Sequence, residues 1–212
     1  MFIKFCHVLR TFTKKIIMHK ESFDIMKYFV DKYLDKNIEL EIIDIGSYDV
    51  NGNYKSLFQN SGWKYYGLDM VKGPNVDFIT KSAYEFGLDK QFDVVISGNC
   101  LEHVEAPWKW IKEVEKITKK GGIVCIITPF SAREHKYPVD CWRILPDGFK
   151  YLLEQESNFK ILETKINILP RNYRIFSSRP KIRWMLKLLP IKIKNILAFT
   201  PAQDTYVIAI KN

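Results

Sequence analysis

Apolar residues along this chain follow two alternating rhythms. Helical spacing comes first, with Phe23, Met26, Val30, Tyr33 and Leu34 recurring over Glu21 to Lys36, which predicts an amphipathic helix. A short apolar run at Ile42, Ile43 and Ile45 then stops at Gly46, as a strand buried on both faces does. Further runs at Trp63 to Asp69, Val76 to Ile79, Asp93 to Ile96 and Ile123 to Thr128 predict four more strands. Between the last two, Trp108, Ile111, Val114 and Ile117 repeat at helical spacing over Pro107 to Thr118, and Gly121 reads as the helix stop. Leu145 to Glu154, with Phe149, Leu152 and Leu153, predicts another helix. Strands at Ile161 to Ile168 and Thr205 to Ile210 close the chain. Strands alternating with helices in this way build a parallel, doubly wound sheet.

The punctuation points to a nucleotide-type ligand. Gly46 is followed by Asp49, Asn51 and Gly52, all turn formers, and the next apolar pair is Leu57-Phe58. A turn and a helix start are therefore expected here, with Asn51 as a cap more than a ligand contact. Asp69 closes the second strand 23 positions after Gly46, where an acid can hold ribose hydroxyls. A pyrophosphate cofactor needs glycines at G-x-G-x-x-G, and here Ser47 and Tyr48 follow Gly46. A ligand with ribose and adenine but no pyrophosphate, such as S-adenosylmethionine, fits this looser turn better than NAD.

Four stretches in order resemble the class I S-adenosylmethionine-dependent methyltransferases. They are Ile42-Ile43-Asp44-Ile45-Gly46, Tyr66-Gly67-Leu68-Asp69, Phe92 to Ser97 running into Leu101-Glu102-His103-Val104, and Lys120-Gly121-Gly122 leading into Ile123 to Pro129. The resemblance spans about residues 40–130. It implies an α/β fold: a Rossmann-like, seven-stranded, mostly parallel sheet with helices on both faces and the last strand antiparallel. S-adenosyl-L-methionine is the implied cofactor. Its surroundings would be Asp44, Gly46, Ser47 and Tyr48 after the first strand, Asp69 and Met70 after the second, and Ser97 and Asn99 after the fourth. The family often places an acid after the third strand to meet the adenine amino group. Lys81-Ser82-Ala83 stands here instead, leaving Ser82, Ala83 or a backbone carbonyl for that task.

Bulk properties refine this picture. A chain of 212 residues suits one domain with an ample core. The net charge of +9 is uneven: residues 1–20 hold five Lys or Arg and residues 171–196 hold eight, with no acid in either stretch. The rest carries 20 bases against all 24 acids. Residues 1–18 therefore read as a basic amphipathic extension, and 19–212 as the catalytic domain with a basic amphipathic insert at about 171–196. In the insert Arg179, Lys181, Arg183 and Lys187 interleave with Ile182, Trp184, Met185 and Leu186. That pattern suits a lid packed on the domain or an interfacial helix better than a nucleic-acid groove. Cys6, Cys100, Cys125 and Cys141 show no paired or metal-ligand spacing, so a reduced cytoplasmic setting and no metal site are expected. Peripheral contact at the inner membrane surface is the sharper expectation for the insert.

Candidate chemistry gathers on two loops. Methyl transfer to a hydroxyl benefits from a base, and of four histidines His7 and His19 precede the fold. His103 follows the fourth strand; His135 follows the fifth, in His135-Lys136-Tyr137-Pro138-Val139-Asp140-Cys141-Trp142-Arg143. This stretch resembles a His-x-Tyr-Pro-x-Asp-x-Trp-Arg subgroup of the family associated with bacterial carbohydrate and cell-surface modification. Tyr137, Asp140, Trp142 and Arg143 would then grip a sugar, with His135 as base and His103 as a second candidate. The alternative is a packed loop in which Arg143 pairs with Asp140 and Trp142 fills the core. The expected function is O-methylation of a carbohydrate or another small polar metabolite. Methylation of RNA or protein is a rival, and so is a cofactor-binding subunit without activity of its own.

Overall fold

A computed structural model describes residues 20–50, 52–132, 134–167 and 203–212 of the chain. The basic extension, the basic insert, Cys6, His7, His19, Asn51 and Ile168 lie outside the described residues. Helix α1 (Lys20–Tyr33) leads into β1 (Leu40–Ile45), followed by β2 (Trp63–Asp69), β3 (Phe78–Ile79) and β4 (Phe92–Gly98). Helix α2 (Pro107–Ile117), β5 (Thr118–Ser131), α3 (Pro146–Lys150), β6 (Phe159–Ile166) and β7 (Gln203–Lys211) complete the order. The seven strands form one sheet in the order β3-β2-β1-β4-β5-β7-β6. β1 to β5 run parallel, and β7 is antiparallel to both β5 and β6. This is the Rossmann-like architecture the sequence implies.

The apolar runs work because neighbouring residues on a strand point to opposite faces. Ile43, Val95, Val124, Ile126 and Val207 join α2 through Trp110, Ile111 and Val114, α3 through Phe149, and the turn after it through Leu153, in one core. Ile42, Val94, Ile96, Cys125, Ile127 and Ile208 join α1 through Ile25, Met26, Phe29 and Val30 in the other. Each run is thus split by parity between two helical layers.

Two expectations are corrected. The helix expected after Gly52 is a single 3₁₀ turn at Lys55–Phe58. Asp49 accepts hydrogen bonds from the Gly52 amide (2.8 Å) and the Asn53 side chain (2.6 Å), and Asn53 accepts the Lys55 amide at 3.0 Å. These side chains offer the backbone turn partners that compete with a helical ladder. Gly121 is not the helix stop. The chain turns extended at Thr118, whose hydroxyl donates to the Val114 carbonyl, while Lys211 donates to the carbonyls of Glu115 and Thr118. Gly121, at φ +74°, instead shapes an irregularity in which Thr118 pairs with Phe92 and Ile123 with Val94. The helix expected over Leu145 to Glu154 runs as α3 and then widens into a π turn at Tyr151–Gln155. Among the described residues, no helix is long and apolar enough to cross a membrane.

Candidate active site

Strand order reverses direction between β1 and β4, so the crevice outside their carboxyl ends is where a doubly wound sheet binds its ligand. Gly46 turns the chain there at φ +80°, and its amide and that of Ser47 both donate to the Leu68 carbonyl at 2.9 and 3.2 Å. The Ser47 hydroxyl donates to the Asn75 carbonyl at 2.8 Å. Asp69 ends β2 with one carboxylate oxygen accepting the Tyr48 amide and the other the Val71 amide, both at 3.1 Å. Each oxygen keeps acceptor capacity for a ribose hydroxyl. Met70 is exposed beside it.

The remaining expected cofactor residues divide. Ser82 and Ala83 lie in the turn after β3, tied to β2 by the Thr80 amide on the Asp69 carbonyl (2.9 Å). There the Ser82 hydroxyl accepts the Tyr84 amide at 3.1 Å. Ser97 is buried and donates to the Ile45 carbonyl at 2.9 Å, tying β4 to β1. Asn99, at φ +54°, donates to Ser22 at 3.3 Å, and Ser22 also bonds the Tyr54 hydroxyl. Through Ser22 and Tyr54, neither foreseen, the start of α1 is held over the carboxyl end of β4. Asp44 is buried with the Tyr65 hydroxyl on its carboxylate at 2.5 Å. Burial, offset in part by Tyr65 and reinforced by the Asp69 charge, pushes its carboxyl up to about 7.

The loop after β5 folds back on the 3₁₀ turn Leu101–His103, with the amides of Cys141 and Trp142 donating to the Glu102 carbonyl at 2.8 and 3.3 Å. This brings His103 and His135 edge to face, with ring centroids 5.0 Å apart. His103 donates from Nδ1 to the Val139 carbonyl at 2.5 Å, and its Nε2 lies 3.6 Å from Glu102 Oε1. His135 places Nδ1 3.4 Å from Asp140 and Nε2 3.8 Å from the same Glu102 oxygen. Arg143 grips Asp140 with two hydrogen bonds, at 2.5 and 2.7 Å, and holds its carboxyl well below the usual carboxylate range. Trp142 does not fill the core. Its indole donates to the Val104 carbonyl at 2.9 Å, its ring meets Trp108 edge on, and it stays 36% exposed. Tyr137 is 66% exposed.

Buried polar atoms without a hydrogen-bond partner gather at this same end of the sheet. Among the described residues they belong to Glu102, Thr128, Asp204 and Thr205, and Thr128 faces Thr205 across β5 and β7. Burial, then the charges of Glu21 and Glu102, pushes the Asp204 carboxyl up to about 7. Desolvation first, then the charges of Glu102, Asp69 and Asp44, pushes the partly exposed Cys100 thiol up to about 12. Glu102 had been visible in its motif, but nothing in the sequence marked it as buried.

Residues 17–161 match the family model described as a methyltransferase domain. The chain belongs to that family. An uncharacterized methyltransferase of Mycobacteroides abscessus is 24% identical over 113 residues, 44% of this chain and 43% of that one. One from Mycobacterium leprae is 27% identical over 110 residues, 44% of this chain and 40% of that one. The chain thus spans less than half the length of these relatives. The 1,6-didemethyltoxoflavin-N1-methyltransferase of Burkholderia thailandensis, solved with bound 1,6-didemethyltoxoflavin and S-adenosylhomocysteine, superposes with a TM-score of 0.62 at 14% identity. That match covers 92% of this chain and 80% of the other. Phosphoethanolamine N-methyltransferase 2 of Haemonchus contortus, solved with S-adenosyl-L-methionine, superposes at 0.55 and 13% identity, covering 91% and 52%.

The domain is thus a methyltransferase domain by family and fold, and its residues fit S-adenosylmethionine as the cofactor. Gly46 gives a tight turn that would let the methionine tail approach the backbone, and the braced Asp69 carboxylate would meet the ribose. Asp44, Asp69 and Glu102 all act electrostatically on Cys100, so negative charge, with Asp44 and Glu102 buried, surrounds the end of the crevice that a sulfonium and an ammonium would enter.

Proposed function

We propose that the methyltransferase moves a methyl group from S-adenosylmethionine to a hydroxyl of a carbohydrate or another small polar acceptor, in the modification of cell-surface polysaccharide. One observation carries this reading: two imidazoles converge on buried Glu102 directly beyond β4, the strand that borders the cofactor crevice. An amine acceptor needs only its neutral form, whereas a hydroxyl gains from a base in the transition state. The half-exposed Trp142 and the exposed Tyr137 and Trp108 lie along the same loop and helix. They offer the flat apolar faces and polar edges that suit a sugar ring.

Bound in the crevice, S-adenosylmethionine supplies an electrophilic methyl carbon on a good leaving group. The chain must align the acceptor and keep water out. His135, with 47% of its side chain exposed, is the imidazole an acceptor can reach. Asp140 beside Nδ1 favours the tautomer with its proton there, so Nε2 is the atom that accepts the hydroxyl proton. Arg143 keeps Asp140 in place for that task.

The test is incubation of the purified chain with methyl-deuterated S-adenosylmethionine and sugars, nucleotide sugars and oligosaccharides, read by mass spectrometry. The label is expected on a hydroxyl oxygen of a carbohydrate. Transfer only to RNA or protein overturns the acceptor class, and cofactor binding without turnover on any acceptor points to a non-catalytic subunit.

A further inference from the structure

Glu102 has no solvent exposure, and neither carboxylate oxygen has a hydrogen-bond partner among the described residues. A buried carboxylate left so is costly unless a cation meets it. Arg143, a cation within electrostatic reach of Glu102, directs its hydrogen bonds to Asp140 and the Trp142 carbonyl instead. What faces Glu102 is a pair of imidazole nitrogens, Nε2 of His103 at 3.6 Å and Nε2 of His135 at 3.8 Å. One ligand atom from each of the three residues lies within 4.8 Å of the other two.

The outer atoms of both rings complete the pattern. His103 gives its Nδ1 proton to the Val139 carbonyl, which leaves the lone pair on Nε2, toward Glu102. His135 has Asp140 beside Nδ1 in the same sense, and Arg143 anchors Asp140. Metal-ligating histidines are held in this way, with the far ring nitrogen donating to a carbonyl or carboxylate. Ligand atoms about 2.0–2.2 Å from a tetrahedral ion lie roughly 3.3–3.6 Å apart, so the two spacings to Glu102 are near that range, and the histidine nitrogens, within 4.8 Å of each other, close onto the ion by rotation of the half-exposed His135 ring. We infer that Glu102, His103 and His135 form a binding site for a divalent transition-metal ion of the zinc, cobalt and manganese class.

Two imidazoles and a carboxylate favour such ions over magnesium or calcium, which prefer all-oxygen shells. Three protein ligands leave a coordination position open. With the ion bound, His135 Nε2 would be a ligand in place of the base, and an acceptor hydroxyl in the open position would lose its proton to solvent water more readily. That role rests on the proposed methyl transfer to a hydroxyl; the binding itself does not. The sequence did not lead to this site because its histidines stand 32 residues apart, and only the folded-back loop joins them.

The experiment strips the full chain with EDTA and titrates it with Co²⁺, following the visible absorption of the bound ion, then displaces it with Zn²⁺. One equivalent is expected to bind. His135→Ala, at a half-exposed position, should weaken binding at least tenfold, and Glu102→Gln should weaken it further. Calorimetry with S-adenosylhomocysteine on each variant reports that the fold is intact. Stoichiometric metal binding that needs these side chains supports the inference even if no methyl transfer is found. Methyl transfer by exhaustively stripped protein that takes up no Co²⁺ overturns the metal site and leaves the proposed reaction standing. Co²⁺ affinity unchanged in both variants also overturns it.

Discussion

Gly46 lies so close to Cys100 that a methyl group on its Cα would stand 2.7 Å from both the Cβ and the Sγ of Cys100. The turn after β1 and the segment after β4 are therefore in direct contact where the cofactor crevice opens. Gly46→Ala would force that contact apart and place a side chain at φ +80°. Left-handed backbone costs a non-glycine residue about 1–2 kcal/mol and overpacking about 1–3 kcal/mol. Urea denaturation should show a loss of about 2–5 kcal/mol, together with weaker S-adenosylhomocysteine binding. Wild-type stability in this variant would contradict the packing described.

His135→Ala should reduce turnover by about 10²–10⁴ while leaving S-adenosylhomocysteine affinity close to that of the wild type. His103 is the comparison, since its ring is pinned by Val139 and less exposed. If only His103→Ala lowers kcat, the two imidazoles exchange roles. If neither does, alignment alone carries the reaction.

Asp44 gives the stability a distinct pH dependence. Its folded-state pKa of about 7 stands above the ordinary 3.8 because the carboxyl is buried. The folded chain therefore binds this proton more tightly than the unfolded one. The resulting stabilisation is fully present below about pH 4 and is lost as pH rises through about 7. Between pH 5 and 8 the loss from this group is about 2–3 kcal/mol. Asp204, also pushed up to about 7, acts with the same sign. Asp44→Asn should remove only the first share, so urea denaturation at pH 5 and pH 8 should show a smaller fall for the variant. Equal falls would contradict the assignment.

The strands were legible because Ile42 to Ile45, Val94 to Ile96 and Val124 to Ile127 are buried on both faces of a parallel sheet. Continuous apolar runs announce that environment directly. The region after Gly52 is illegible to apolar periodicity because Asp49 and Asn53 turn the backbone through side-chain hydrogen bonds. The alternatives left open for the His135 loop resolve unevenly. Arg143 does pair with Asp140, yet Trp142 is held at one edge and half exposed. Glu102 was the least legible. A glutamate beside a histidine reads as a surface residue, and its burial depends on a loop some 40 residues later closing over it.

Asp69 most directly tests the cofactor site itself, because its carboxylate joins the Tyr48 and Val71 amides at the mouth between β1 and β2. The decisive measurement is isothermal calorimetry of S-adenosylhomocysteine against the wild type and Asp69→Ala. A charge-assisted hydrogen bond contributes about 1.5–3 kcal/mol, so the wild type should bind one equivalent and the folded variant should bind at least tenfold more weakly. Equal affinity in the two proteins, or no binding by the wild type, would contradict the site.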